Sequence, residues 1–160
     1  MSEQIHQLSA QEQTDARTIL QSAPIAYVSV AGPRPYVVPM NFVYDSTEEP
    51  GRILLRSGEG RKSRAMVTDP RICIAILGEA TFDPGPDPYT DLFAYRSVLI
   101  EGTAVLLEDR AERVEALRMF VAKYHPKAIH EPLNEATFAR TLVFSVATEA
   151  LTFKQRRRWS

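Results

Sequence analysis

The order in which short apolar runs recur along this 160-residue chain restricts its fold more than any other feature. IAYVSV (25–30), RPYVVPMNFVYD (34–45), RILLR (52–56), RICIAIL (71–77), FAYRSVLIEGTAVLLE (93–108) and TLVFSVATEALTFK (141–154) are rich in β-branched and aromatic residues, the composition of strands. AGP, with Gly32 and Pro33, and STEEPG (46–51) supply turn chemistry between the first three. A doubly wound parallel sheet would need a helix after each strand, and that rhythm is absent. The order predicts a mainly β fold: a six-stranded antiparallel barrel with flanking helices, in which closure removes exposed edges.

Three helices fit between and before the runs. Ser9 and Glu12 have capping-box spacing for a helix over about 9–21, which Pro24 stops. GRKSRAMVT reads as a short helix ended by Asp69-Pro70. Asp109 and Glu112 repeat the capping spacing, and Val114, Leu117, Val121 and Tyr124 mark one face of a main helix over 110–124. The stretch GEATFDPGPDPYTD (78–91), with three prolines and two glycines, predicts an irregular loop on the substrate side, and Gly102 a bend in the fifth run. Pro39 lies inside the second run. It cannot donate to a ladder, so it marks an edge, a bulge, or a backbone face turned toward something else.

Composition then excludes some functions. Nineteen basic against twenty acidic residues leave a net charge of −1, so no global field draws nucleic acid. No apolar run reaches the roughly 18 residues of a membrane span, and the polar opening MSEQIHQLSAQEQTDA predicts a cytoplasmic chain forming a single domain over 1–160. The single cysteine, Cys73, sits among apolar neighbours as a core thiol, and His6, His125 and His130 have no metal-ligand spacing.

One loop carries chemistry. In RSGEGRK (56–62) a strand passes through two glycines into a helix that begins near Arg61, which places free backbone N–H groups and the positive end of the helix dipole at the loop. Gly58 and Gly60 would turn the chain with positive φ, while Arg56, Arg61 and Lys62 would add charge-assisted donors. The set suits a phosphate, against a plain solvated basic face; Glu59 would oppose an anion if it pointed inward. The Walker A spacing is absent.

VVPMNFVYD, then GRILLRSGEGRK with a helix and DPRICIAI, then YRSVLIEGTAVLLED together resemble the split-barrel flavin-binding family that includes pyridoxamine 5′-phosphate oxidase. The resemblance covers about residues 20–154 and is nearest the nitroimidazole-resistance reductase branch. It implies a homodimer holding FMN between two barrels, the phosphate on Arg61 and Lys62. Val38, Pro39, Met40 and Asn41 would run along the flavin ring, Arg56 and Ser57 would border the phosphate loop, and Arg96, Ser97 and Val98 would form the other wall. That branch commonly has histidine where Arg56 stands, and arginine cannot exchange a proton near neutral pH. The tail QRRRWS (155–160) would either fold over a partner's flavin or stay in solvent.

The activity so implied is an FMN-dependent oxidoreductase taking reducing equivalents from a nicotinamide cofactor to a small nitro or quinone-like acceptor. A flavin carries that chemistry itself, so no catalytic dyad is required. The alternatives are a non-catalytic flavin- or haem-binding module and a deazaflavin-dependent reductase.

Overall fold

The structure, a computed structural model, describes residues 8–85, 87–89 and 92–156. Helix α1 (Ala10–Ser22) is followed by strands β1 (Ala26–Val30), β2 (Tyr36–Met40), β3 (Phe42–Asp45) and β4 (Arg52–Ser57), then α2 (Arg61–Thr68). Strands β5 (Arg71–Asp83), β6 (Leu92–Thr103) and β7 (Val105–Leu106) precede α3 (Arg110–Tyr124) and the short α4 (Glu135–Ala139), and β8 (Leu142–Ala147) and β9 (Leu151–Arg156) complete the order.

The six apolar runs thus become nine strands among the described residues, because three runs break once each. They form two antiparallel sheets, ordered β2-β1-β5-β6-β9 and β3-β4-β8-β7. Every break is a change of sheet: β2 passes to β3 at Asn41, β6 to β7 at Ala104, and β8 to β9 across 148–150. Strands that switch sheets at corners belong to crossed-sheet packing. Neither sheet closes on itself, yet through these crossings the pairings link all six runs in a ring. The expected antiparallel barrel with flanking helices is therefore the architecture found.

Between the sheets lies an apolar interior. Val28, Ile74, Ile76 and Ile100 of one sheet meet Phe42, Ile53, Leu55, Phe144 and Val146 of the other, and Ile19 and Leu20 of α1 join them. A fully buried side chain of this size contributes about 1.5–3 kcal/mol, so this interior dominates stability. A second, smaller layer packs Val43, Leu54, Leu107 and Val143, on the opposite face of the four-stranded sheet, against Ala116 and Phe120 of α3.

Local signals set the helix ends as expected. Ser9 Oγ accepts from Glu12 N at 3.3 Å, and Glu12 Oε2 accepts in return from Ser9 N at 2.9 Å. At α3 only half of that device forms: Asp109 Oδ1 accepts from Glu112 N at 2.8 Å, while the Glu112 carboxylate pairs with Arg52 at 2.6 Å.

Three expectations need correction. The part of the segment 78–91 up to Asp83 is strand and not irregular loop, since β5 runs to Asp83 and pairs with β6 from Leu92, with a register shift between Leu77 and Ala80. Antiparallel pairing across the hairpin overrides the glycine and proline content there. The bend falls at Ala104 instead of Gly102, which stays paired with Ile72; a Cβ at Gly102 would lie 2.9 Å from Val146 Cγ1, so glycine is needed for close sheet-to-sheet contact. Finally, the buried centre of α3 is Ala116 and Phe120, with Val114, Leu117 and Val121 displaced to its flank beside residues 125–134.

Candidate functional site

The strand-to-helix turn predicted to hold an anion is built from short-range polar contacts. Ser57, at the end of β4, is buried and donates its hydroxyl to Gly58 O at 2.6 Å. Ser63 Oγ accepts from Gly60 N at 2.9 Å and donates to Gly60 O at 3.1 Å, which ties the first turn of α2 to the loop. The α2 N–H groups of the first turn have no intrahelical acceptor and are directed out of the helix end. None of the described glycines has positive φ, so Gly58 and Gly60 are not there for the backbone conformation. What they leave is room: a Cβ at either would meet nothing within 4 Å. That open space at a cationic helix end fits an anion such as a phosphate.

Arg61 links this loop to β2. Its guanidinium carbon lies 4.0 Å from the centroid of the Tyr36 ring, the first residue of that strand. β2 is an edge strand, which accounts for Pro39: its missing N–H occurs where one side of the strand has no neighbour. Tyr36, Val38 and Met40 pack with the interior, whereas Val37 and Pro39 face outward. Lys62 is half-buried in the same helix turn.

At the far end of β2 stands a second polar group. Phe42 pairs with Leu55, so Asn41 and Arg56 stand one step further along the same strand pair. Tyr124 of α3 holds this crossing: its hydroxyl accepts from Phe42 N at 3.0 Å and lies 2.8 Å from both Phe42 O and Pro24 O. Lys123 Nζ donates to Phe42 O at 3.0 Å and sits 3.7 Å from the Phe42 ring centroid. Burial lowers the Lys123 pKa to about 8. At roughly 3.3 Å per residue, about 16 Å of strand separate the Arg61 end from the Asn41 end. The arrangement suits an elongated ligand with an anionic tail and a polar head.

Some expected site residues do not join this set. Arg56 and Ser57 point to opposite faces of β4, and the Arg56 guanidinium lies 5.3 Å from the Phe120 ring, toward α3 and away from the phosphate loop. Arg96, Ser97 and Val98 cannot share one wall, because successive strand residues alternate. Val98 is buried in the interior; Arg96 turns to α1, 3.6 Å from Asp15; only Ser97 faces outward, opposite Leu77 and Lys154. His6 and residues 157–160 of the tail lie outside the described residues. His125 and His130 are exposed, and no cluster of metal-ligating side chains occurs among the described residues.

Sequence reasoning passed over Tyr36, Lys123 and Tyr124 as site-forming residues. Lys123 and Tyr124 follow Ala116 and Phe120 at helical spacing, a signal that would have located the packed face of α3.

The outward face of the five-stranded sheet is the other notable surface. Pro39, Tyr27, Ala75, Leu99 and Thr152 lie in register across all five strands. Val37 and Leu77 flank that row, 59% and 48% exposed.

A family model described as pyridoxamine 5′-phosphate oxidase matches residues 12–155. No curated protein sequence matches the chain. Among solved structures, a flavocytochrome from Azotobacter vinelandii superposes with a TM-score of 0.79 at 23% identity, over 98% of this chain and 72% of its own. An FAD- and haem-binding protein from Mycobacterium smegmatis gives 0.78 at 18% identity, over 96% and 74%. A protein from Bacteroides thetaiotaomicron described as a candidate 5-nitroimidazole antibiotic resistance protein gives 0.71 at 21%, over 88% and 82%. At these identities the likeness carries the fold.

Proposed function

The chain belongs to the pyridoxamine 5′-phosphate oxidase family, and on that premise we propose that it is a flavin-dependent oxidoreductase passing electrons from a nicotinamide cofactor to a small nitro or quinone-like acceptor. The observation that carries this reading is the joining of the α2 phosphate-type loop to edge strand β2 through Arg61 and Tyr36. The flavin is gripped through the 5′-phosphate of its FMN moiety by Arg61, Lys62 and the α2 N–H groups. Pro39, Met40 and Asn41 border its ring, and Lys123 and Tyr124 fix the backbone at the ring's polar end. When bound, the flavin supplies the electron transfer, and the protein supplies position, electrostatics and access.

One barrel alone would leave the ring half in water. A homodimer through the apolar row on the outer sheet face would cover it, and twofold pairing of one surface is the commonest assembly of soluble chains. Family membership, together with the flavocytochrome and the FAD- and haem-binding protein among the structural neighbours, supports the flavin assignment.

Two measurements test the reading. The cofactor extracted from purified protein is identified by absorption spectrum and mass; flavin is expected, and a deazaflavin or haem alone would overturn the assignment. NADH and NADPH oxidation is then followed across nitro and quinone acceptors. Turnover is expected, and a flavin-loaded protein without turnover on any acceptor would be a carrier.

A further inference from the structure

A cavity of about 830 Å³ lies directly behind the phosphate-type loop, between α2 and the α4–β8 junction. Gly58, Glu59 and Ser63 line it and also form the loop, so the cavity and the anion position share a wall. Val67 of α2 and Leu142 of β8 give its lining an apolar part, and Arg64 and Arg140 line it as well. We propose that this cavity receives the adenosine half of a flavin dinucleotide, making the preferred cofactor FAD, in an inference that rests on the flavin reading above.

Continuity is the first reason. A ligand whose flavin lies along β2 and whose first phosphate sits on the α2 end reaches this cavity by extending past that phosphate. A separate nicotinamide nucleotide bound there would instead place its reactive ring on the wrong side of the loop from Pro39 and Asn41. Chemistry is the second. Arg64 lines the cavity beside the loop residues Glu59 and Ser63, and a guanidinium would pair with a second phosphate through parallel hydrogen bonds. Glu59 opposes a lone phosphate at this loop but suits a ribose, because a carboxylate beside a bound nucleotide accepts from ribose hydroxyls and rejects a phosphate there. Val67 and Leu142 present an apolar surface to a purine, with Arg140 placed to stack on it.

The far wall is held rigidly, which a preformed pocket requires. Phe138 of α4 is flanked by two guanidinium groups, Arg110 at 4.7 Å and Arg113 at 4.4 Å from its ring. Arg113 Nη2 donates to Phe138 O at 3.2 Å and Thr141 O at 2.8 Å, and Arg110 pairs with Glu135 at 2.6 Å. These contacts fasten the five-residue α4 to α3. Arg140, which lines the cavity, donates its Nε–H to Ala136 O at 3.2 Å.

The test titrates the flavin-free full chain with riboflavin, FMN and FAD by calorimetry. FAD is expected to bind at least about tenfold more tightly than FMN. Val67→Trp, a change at an exposed helix position, fills the cavity and is expected to abolish that advantage while leaving FMN affinity within about twofold. Glu59→Gln should reduce the FAD advantage and leave FMN unchanged or tighter. Equal wild-type affinity for FAD and FMN, or a Val67→Trp protein that still prefers FAD, overturns the proposal while the flavin reading stands. A chain that binds none of the three overturns the flavin reading itself.

Discussion

The five-stranded sheet has two apolar faces with opposite fates. On the inner face Val28, Ile74, Ile76, Val98 and Ile100 are buried against the second sheet and α1; on the outer face Tyr27, Ala75, Leu77 and Leu99 meet solvent. Alternation along each strand puts both sets in the same elements. Hydrophobicity alone therefore does not tell what a residue serves: the inner set makes this chain fold, and the outer set lies against solvent. The residues expected at the flavin follow the same division, since Pro39 and Ser97 lie outward beside interior-facing Met40 and Val98.

The largest effect expected is on binding. Arg61→Ala with Lys62→Ala removes two charge-assisted contacts, each worth about 1.5–3 kcal/mol, so FMN affinity should fall by roughly two to four decades. Riboflavin, which lacks the phosphate, should bind nearly as before, and the ligand-free melting temperature should not move. Equal losses for both flavins would make the loop structural and blur the division between fold and function.

On the inner face, Ile74→Ala should cost about 2–5 kcal/mol of unfolding free energy, read from urea denaturation. A loss below about 1 kcal/mol would show that the interior repacks and that the two faces differ less than their exposure indicates.

Leu99→Glu, at the centre of the outer row, should change monomer stability by no more than about 0.5 kcal/mol. By light scattering the same protein should be monomeric, whereas a dimer is the expected wild-type species. A variant that remains dimeric would move the interface elsewhere.

The smallest effect concerns Lys123, in the partly wet layer between those extremes. Burial lowers its pKa from 10.5 to about 8 in the folded chain. Below pH 8 both states carry the proton; between about 8 and 10.5 the unfolded chain binds a proton that the folded one has released, so stability from this group rises with pH across that window. The stability difference between wild type and Lys123→Met should therefore change in the wild type's favour from pH 8 to 10.5. A flat difference would mean that the ammonium is well solvated.

What the sequence disclosed divides along the same physical line. Signals that act over a few residues were legible: Ser9 and Glu12 at α1, Asp69-Pro70 after α2, Pro126 after α3, and the six runs themselves. Features chosen by tertiary packing were not. Which stripe of α3 is buried depends on Val43 and Leu54 of the sheet it covers. The paired arm at 80–83 and 92–95 depends on a partner strand, which local composition does not weigh. The loop 57–62 was recognisable from residue types in order, but its φ angles and the alternation separating Arg56 from Ser57 required the backbone.

Edge strand β2 carries one more consequence, for solubility. A strand left open so that a ligand can lie along it also offers a template on which another chain can add itself, the first step of sheet-to-sheet aggregation. Pro39 interrupts the row of donors on that edge, and charged Arg34 lies just before the strand. The same residue that suits the open edge beside the proposed flavin site thus makes β2 a poor seed for intermolecular pairing, so a Pro39→Val chain should be recovered in lower soluble yield even where its fold is unchanged.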